Sequence, residues 1–254
     1  MKPLPRFIWC IFDGLRRDMI TPDIAPRLRA FIDGGSDFPS SRCVFPSVTR
    51  VNAAAMACGA SPGVTGVVAN MLYDPNVFSD KLMQTGLHDH MVQAEQAYDG
   101  RFVSAPSLGD ILAAHGLKVA VVSSGSAGAT HLLNPRAAQL GHVRLSVSDW
   151  RASTPADYAA EVLQRFGPIP AAATPNTARI QLQTDMVLDA VLPEIAPDVL
   201  IRGTTSSPAT PAIAAPCAWQ PATTRRCATW STGCSNKRGA ARCLRRMATA
   251  CSAA

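Results

Sequence analysis

The sequence predicts an α/β fold: a doubly wound, mostly parallel sheet with helices on both faces. Short apolar runs rich in Val and Ile alternate with segments of helical periodicity, the order that builds parallel sheets through crossover helices. The first run, RFIWCIF (6–12), is almost continuously apolar, as a strand buried on both faces requires. With 254 residues and 47% hydrophobic content, the chain is long enough to bury such a core.

The elements follow in order. RFIWCIF ends at Asp13-Gly14, which places Asp13 just past the carboxyl end of a strand, where open α/β sheets carry their chemistry. PDIAPRLRAFIDGG (22–35) reads as a helix with Ile24, Leu28 and Phe31 inward and a glycine stop. SRCVFPS (41–47) has strand composition closed by Pro46. NAAAMACG (52–59) is made of strong helix formers ending at a plausible C′ glycine. Thr49 therefore falls at or near a helix N-terminus, where free N–H groups and the helix dipole favour an anion. An N-cap is the ordinary role for a threonine there. Further on, SLGDILAAHG (107–116) is a short amphipathic helix and LKVAVVSS (117–124) a β-branched strand. HVRLSVSD (142–149) is another strand, TPADYAAEVLQRFG (154–167) a capped helix, 174–195 a longer helix and PDVLIRG (197–203) a buried strand.

Three polar residues stand out in this order: Asp13 after the first strand, Thr49 at a helix start and Asn70 closing GASPGVTGVVAN (59–70). Taken singly, Asp13 fits a turn initiator and Asn70 a turn terminator. Taken together with FDGLRRDMITPDIAPRLRAFIDGG, FPSVTRVNAAAMACGASPGVTGVVAN and, more loosely, SLGDILAAHGLKVAVVSSGSAGATHLL, they resemble the type I phosphodiesterase and nucleotide pyrophosphatase branch of the alkaline phosphatase superfamily. The resemblance covers most of residues 6–133, and the second stretch is its specific part. It implies an alkaline phosphatase-like fold and hydrolysis of phosphodiester or pyrophosphate bonds. It implies that Asp13 and Thr49 are ligands of two divalent ions, zinc in the family, and that Thr49 is the nucleophile that becomes phosphorylated. It also implies that the Asn70 amide holds a non-bridging phosphoryl oxygen, and that Ser126 in SSGSAGAT is a weaker substrate contact.

The resemblance also defines what is not found. The family's remaining ligands are an Asp-x-x-x-His element after a later strand, an Asp-His pair and a further His. Here the histidines are His88, His90, His115, His131 and His142, and none has an Asp four residues before it. Asp89-His90 lacks the glycine that follows the family's pair and is read as a loop feature. After about residue 202 the composition changes abruptly. Residues 203–254 contain no Asp or Glu and seven basic residues, and removing those from the total of 24 leaves 17 basic against 18 acidic in the body. The expectation is an incomplete domain over 1–202, truncated or frame-shifted there, followed by a basic low-complexity tail expected to be disordered.

Composition excludes several classes. The tail cysteines (217, 227, 234, 243 and 251) contain no Cys-x-x-Cys, so neither a zinc ribbon nor a redox pair is indicated. The body is nearly neutral, which argues against a specific nucleic-acid partner despite the +6 total charge. No run is long enough for a membrane span, and the N-terminus lacks a signal-peptide pattern, so a cytoplasmic location is expected. The expected partner is a small-molecule phosphodiester or nucleotide. The alternative is a protein of the same fold that binds phosphate esters without catalysis.

Overall fold

The computed structural model describes residues 7–205. Its centre is a four-stranded sheet in the order β1-β6-β4-β5, formed by Phe7–Asp13 (β1), Val199–Thr205 (β6), Val119–Ser123 (β4) and Val143–Ser146 (β5). Every pairing in it is parallel. The carboxyl ends of all four strands therefore lie along one edge. A two-stranded antiparallel ribbon joins Met71–Leu72 (β2) and Met83–Gln84 (β3).

Side-chain alternation along the strands sorts the apolar residues into two cores. Ala120 and Val122 of β4, Leu200 of β6, and Val143 and Leu145 of β5 face helices Ala156–Phe166 (α7) and Thr177–Met186 (α8), which contribute Ala159, Val162, Leu182 and Met186. Val119, Val121, Val199 and Ile201 face the other way. They meet helices Thr49–Cys58 (α2), His88–Ala97 (α4) and Ala127–Leu132 (α6) through Ala53, Ala54, Met91, Ala94 and Leu132. The fold is the doubly wound α/β architecture expected, with helices on both faces. Three further helices, Pro26–Asp33 (α1), Pro62–Thr65 (α3) and Leu108–Ala114 (α5), complete the α-helical elements described. Among the described residues no helix is long and apolar enough to cross a membrane.

Several local expectations are corrected. Strand β1 lies at the edge of the described sheet rather than between two neighbours, and Phe7 and Phe12 are 58% and 39% exposed. Residues 41–47 form no strand. They run as an extended loop without a ladder partner, and the Val44 N–H goes instead to the side chain of Asn52. Helix α1 is shorter than 22–35 and buries none of its residues, so Phe31 stays 53% exposed. His88-Asp89-His90 opens α4 rather than lying in a loop. The long helix at 174–195 changes character at Val187, where nine residues through Ile195 wind as a π-helix containing Pro193, whose missing N–H cannot serve an α-helical ladder. Strand β6 continues through Thr205, three residues past the composition change at 202; the basic tail and the frame change expected for it otherwise lie outside the described residues.

Candidate active site

Asp13 is the last residue of β1, in register with Thr205 at the carboxyl end of β6. The chain leaves the sheet at once because Gly14 takes φ 83°, a left-handed conformation that a β-carbon would strain. This turn presents the Asp13 carboxylate at the strand-end edge. Across from it, Val48 in extended conformation is the N-cap of α2 and Thr49 is the first helical residue. The Thr49 side chain makes no capping bond. Its hydroxyl donates instead toward the Asp13 carboxylate, 3.3 Å from Oδ2 and 3.4 Å from Oδ1. These distances exceed an ordinary O–H···O bond, so the hydroxyl is within reach of the carboxylate without being locked to it. The capping role open to a threonine at this point is thus taken by backbone geometry, and the hydroxyl is left half-way to a carboxylate 36 residues earlier.

Three residues not singled out from the sequence position Thr49. Asn52, in the first turn of α2, donates to the Val48 carbonyl at 3.0 Å and accepts the Val44 N–H at 3.1 Å, strapping the loop onto the helix. Arg50 donates from Nε to Thr85 Oγ1 at 3.0 Å. Thr85 is fully buried, and its hydroxyl donates in turn to the carbonyls of Asn70 at 2.9 Å and Ala69 at 3.3 Å. Burial pushes the Arg50 guanidinium below its usual range, and the charge of Asp13 pushes it back up. In the sequence, Arg and Asn in a first helical turn look like solvated surface, and nothing in their composition or spacing marks them out.

Asn70 is half-buried, and its backbone carbonyl accepts both the N–H and the hydroxyl of Thr85. Its side-chain Oδ1 is buried without a hydrogen-bond partner among the described residues, an arrangement that costs free energy until a donor arrives. No hydrogen bond joins that side chain to Asp13 or Thr49. Asn70 is therefore tied to α2, the helix that Thr49 opens, through Thr85 and Arg50 rather than directly. Ser126 is the N-cap of α6, its hydroxyl accepting from the Ala129 N–H at 3.3 Å. His90 Nδ1 accepts the Gln84 N–H and Asp89 pairs with Arg151, so this segment is spent on packing α4.

Asp13 and Thr49 bring two oxygen ligands together, but no group of three or more His, Cys, Asp or Glu side chains converges among the described residues. These residues do not by themselves make a two-ion centre. The open clefts beside α7 (about 450 Å³) and between α4, α6 and β5 (about 500 Å³) include none of Asp13, Thr49 or Asn70. Depth of cleft and placement of chemistry disagree here, and we assign the site by the convergence of side chains at the strand ends, where α/β folds place it.

The family model for type I phosphodiesterase / nucleotide pyrophosphatase matches residues 8–187, spanning β1 through the start of the π-helix. The chain belongs to this family. No curated protein matches it. Among solved structures, this type I phosphodiesterase family member is similar to phosphonoacetate hydrolase from Sinorhizobium meliloti 1021, solved in complex with phosphonoformate (TM-score 0.56) and with phosphonoacetate (TM-score 0.55). Identity is 21% in both, over 84% of this chain and 51% of the other. The shared fold is that of the alkaline phosphatase superfamily, and the chain spans about half the length of the solved structures it matches.

Proposed function

We propose that the chain is a hydrolase of phosphodiester or pyrophosphate bonds that acts through phosphorylation of Thr49. The observation that carries this reading is the Thr49 hydroxyl, freed from capping and aimed at the Asp13 carboxylate at the mouth of a helix N-terminus. Asp13 orients the hydroxyl and accepts its proton as the oxygen attacks phosphorus. The departing alkoxide or phosphate takes the electron pair of the broken P–O bond. The first N–H groups of α2 have no acceptors within the helix and stabilise the negative charge on the non-bridging oxygens, with the Asn70 amide as a side-chain partner. Water then attacks the phosphorus, the Thr49 oxygen leaves with the P–O electron pair and regains a proton, and the phosphomonoester is released. That the solved neighbour holds small phosphonates supports a small-molecule substrate. The free thiols Cys10, Cys43 and Cys58 suit the reducing cytoplasm expected from the sequence. Metal dependence and zinc as its identity belong to the same proposal by family, with Asp13 and Thr49 as this chain's share of the ligands.

A second reading is favoured by that incomplete ligand set: the same site would bind phosphate esters without turning them over. Hydrolysis of an aryl phosphodiester, assayed with and without a chelator, separates the two. The hydrolase reading expects turnover that falls at least ~100-fold in Thr49→Ala, as losing a nucleophile requires, and that the chelator suppresses. Phosphate-ester binding unaffected by chelator and without turnover would overturn it in favour of the second.

A further inference from the structure

The first turn of α2 holds a cation where helix electrostatics disfavour one. Arg50 is the second helical residue, and a helix N-terminus carries partial positive charge. Its side chain is nonetheless held with care. The Nε–H donates to Thr85 Oγ1, which is itself fastened to the Ala69 and Asn70 carbonyls. The guanidinium rests against the bare Cα of Gly86: a β-carbon there would lie 3.1 Å from Nη1 and 3.2 Å from Cζ. Gly86 is in turn gripped by α6, where the Gly128 N–H donates to the Gly86 carbonyl at 3.1 Å and a β-carbon on Gly128 would sit 1.7 Å from the Thr85 carbonyl oxygen. The shelf that carries Arg50 is thus the Thr85-Gly86 turn after β3, backed by α6 with no slack between them. The two terminal nitrogens, Nη1 and Nη2, make no hydrogen bond and no ion pair with any described residue. A guanidinium fixed by one nitrogen and open at its fork is arranged to receive a bidentate anion.

We propose that Arg50 is a binding residue for the phosphoryl group that reacts at Thr49, its Nη1–Nη2 fork holding two non-bridging oxygens. Arg50 thereby favours substrates whose reacting phosphorus presents two non-bridging oxygens that share negative charge. This rests on Thr49 as the phosphoryl acceptor, because adjacency to that hydroxyl is what makes the fork a substrate site.

The test uses inorganic phosphate as probe and isothermal titration of the full chain. Arg50→Met keeps the aliphatic stem and removes the fork; phosphate affinity is expected to fall about tenfold to a hundredfold, the worth of charge-assisted hydrogen bonds. Arg50→Lys restores only part of it, since an ammonium cannot fork. Gly86→Ala keeps the charge but pushes the guanidinium off its shelf, and weakens phosphate severalfold with an unchanged circular dichroism spectrum. Wild-type affinity in both Arg50→Met and Gly86→Ala overturns the inference, as does a wild-type chain that binds no phosphate. Failure of the underlying reading has a different signature: phosphate binding that depends on Arg50 in a chain where Thr49→Ala leaves hydrolysis intact.

Discussion

The Thr49 hydroxyl and the Asp13 carboxylate come from positions 36 residues apart, and their meeting turns two ordinary local roles, a cap and a turn initiator, into a pair with chemistry. A second polar group shows the opposite use of burial. His131, in α6, is mostly buried and donates Nε2–H to Glu95 at 2.7 Å. Burial first, then the charge of Arg144, pushes the imidazole down to about 4; the hydrogen bond and charge of Glu95 push it up without prevailing, and His88 adds slightly to the depression. Burial also raises Glu95, yet the hydrogen bond from His131 and its other neighbours leave that carboxyl below its usual range. The folded value of His131 lies below the unfolded 6.5, so the unfolded chain takes up the proton first. The stability is present above pH 6.5 and is lost as pH falls toward 4, by ~3 kcal/mol. Urea unfolding at about pH 7 and about pH 4.5 measures it, and His131→Gln, which keeps a donor to Glu95, is expected to flatten the difference. Parallel pH curves for the two proteins would refute the assignment. At this scale Asp13, Thr49 and Asn70 stood out through their order and spacing. Arg50, Asn52 and Thr85 did not, because their roles depend on loops that only the folded chain brings to α2.

Among the elements, α6 has a reach beyond its six residues. Its second residue, Gly128, touches the Thr85-Gly86 backbone with no room for a methyl group. Gly128→Ala is expected to destabilise the fold by about 3 kcal/mol or more, since backbone rather than a flexible side chain must move. Gly63→Ala meets nothing within 4 Å and is the control, expected to change the urea midpoint little. Equal midpoints for the two variants would contradict the packing described. The strands at 117–124 and 197–203 could be read from β-branched composition because they lie in the sheet interior between two cores, and the strand at 142–149 because, though at the sheet edge, it is buried along its length. The 41–47 segment has similar composition but no partner strand, and composition does not report pairing. Helix α4 was missed because only Met91 and Ala94 of its ten residues are buried, too sparse an apolar stripe to outweigh a start of His-Asp-His.

Over the whole molecule, the alternation of strands and helices predicted a parallel doubly wound sheet, whereas its order, with β6 inserted between β1 and β4, is set by long crossovers that leave no local trace. That insertion places Thr205 beside Asp13 and Gly203 beside Ser123, so the polar strand ends of β1, β6 and β4 share one edge with the start of α2. The architecture therefore delivers the Thr49 hydroxyl, the Asp13 carboxylate and the Arg50 guanidinium to one edge, while no group of three or more His, Cys, Asp or Glu side chains converges among the described residues. The central claim is that phosphorus is transferred to Thr49. Its most direct test is acid quenching of the chain after exposure to an aryl phosphodiester with added zinc, followed by peptide mass spectrometry. The account predicts Thr49 esterified to the phosphoryl group that still carries the diester's second substituent, absent from Thr49→Ala and much reduced in Asp13→Asn. Phosphate on another residue, or hydrolysis that proceeds with Thr49 unmodified and survives Thr49→Ala, would contradict it.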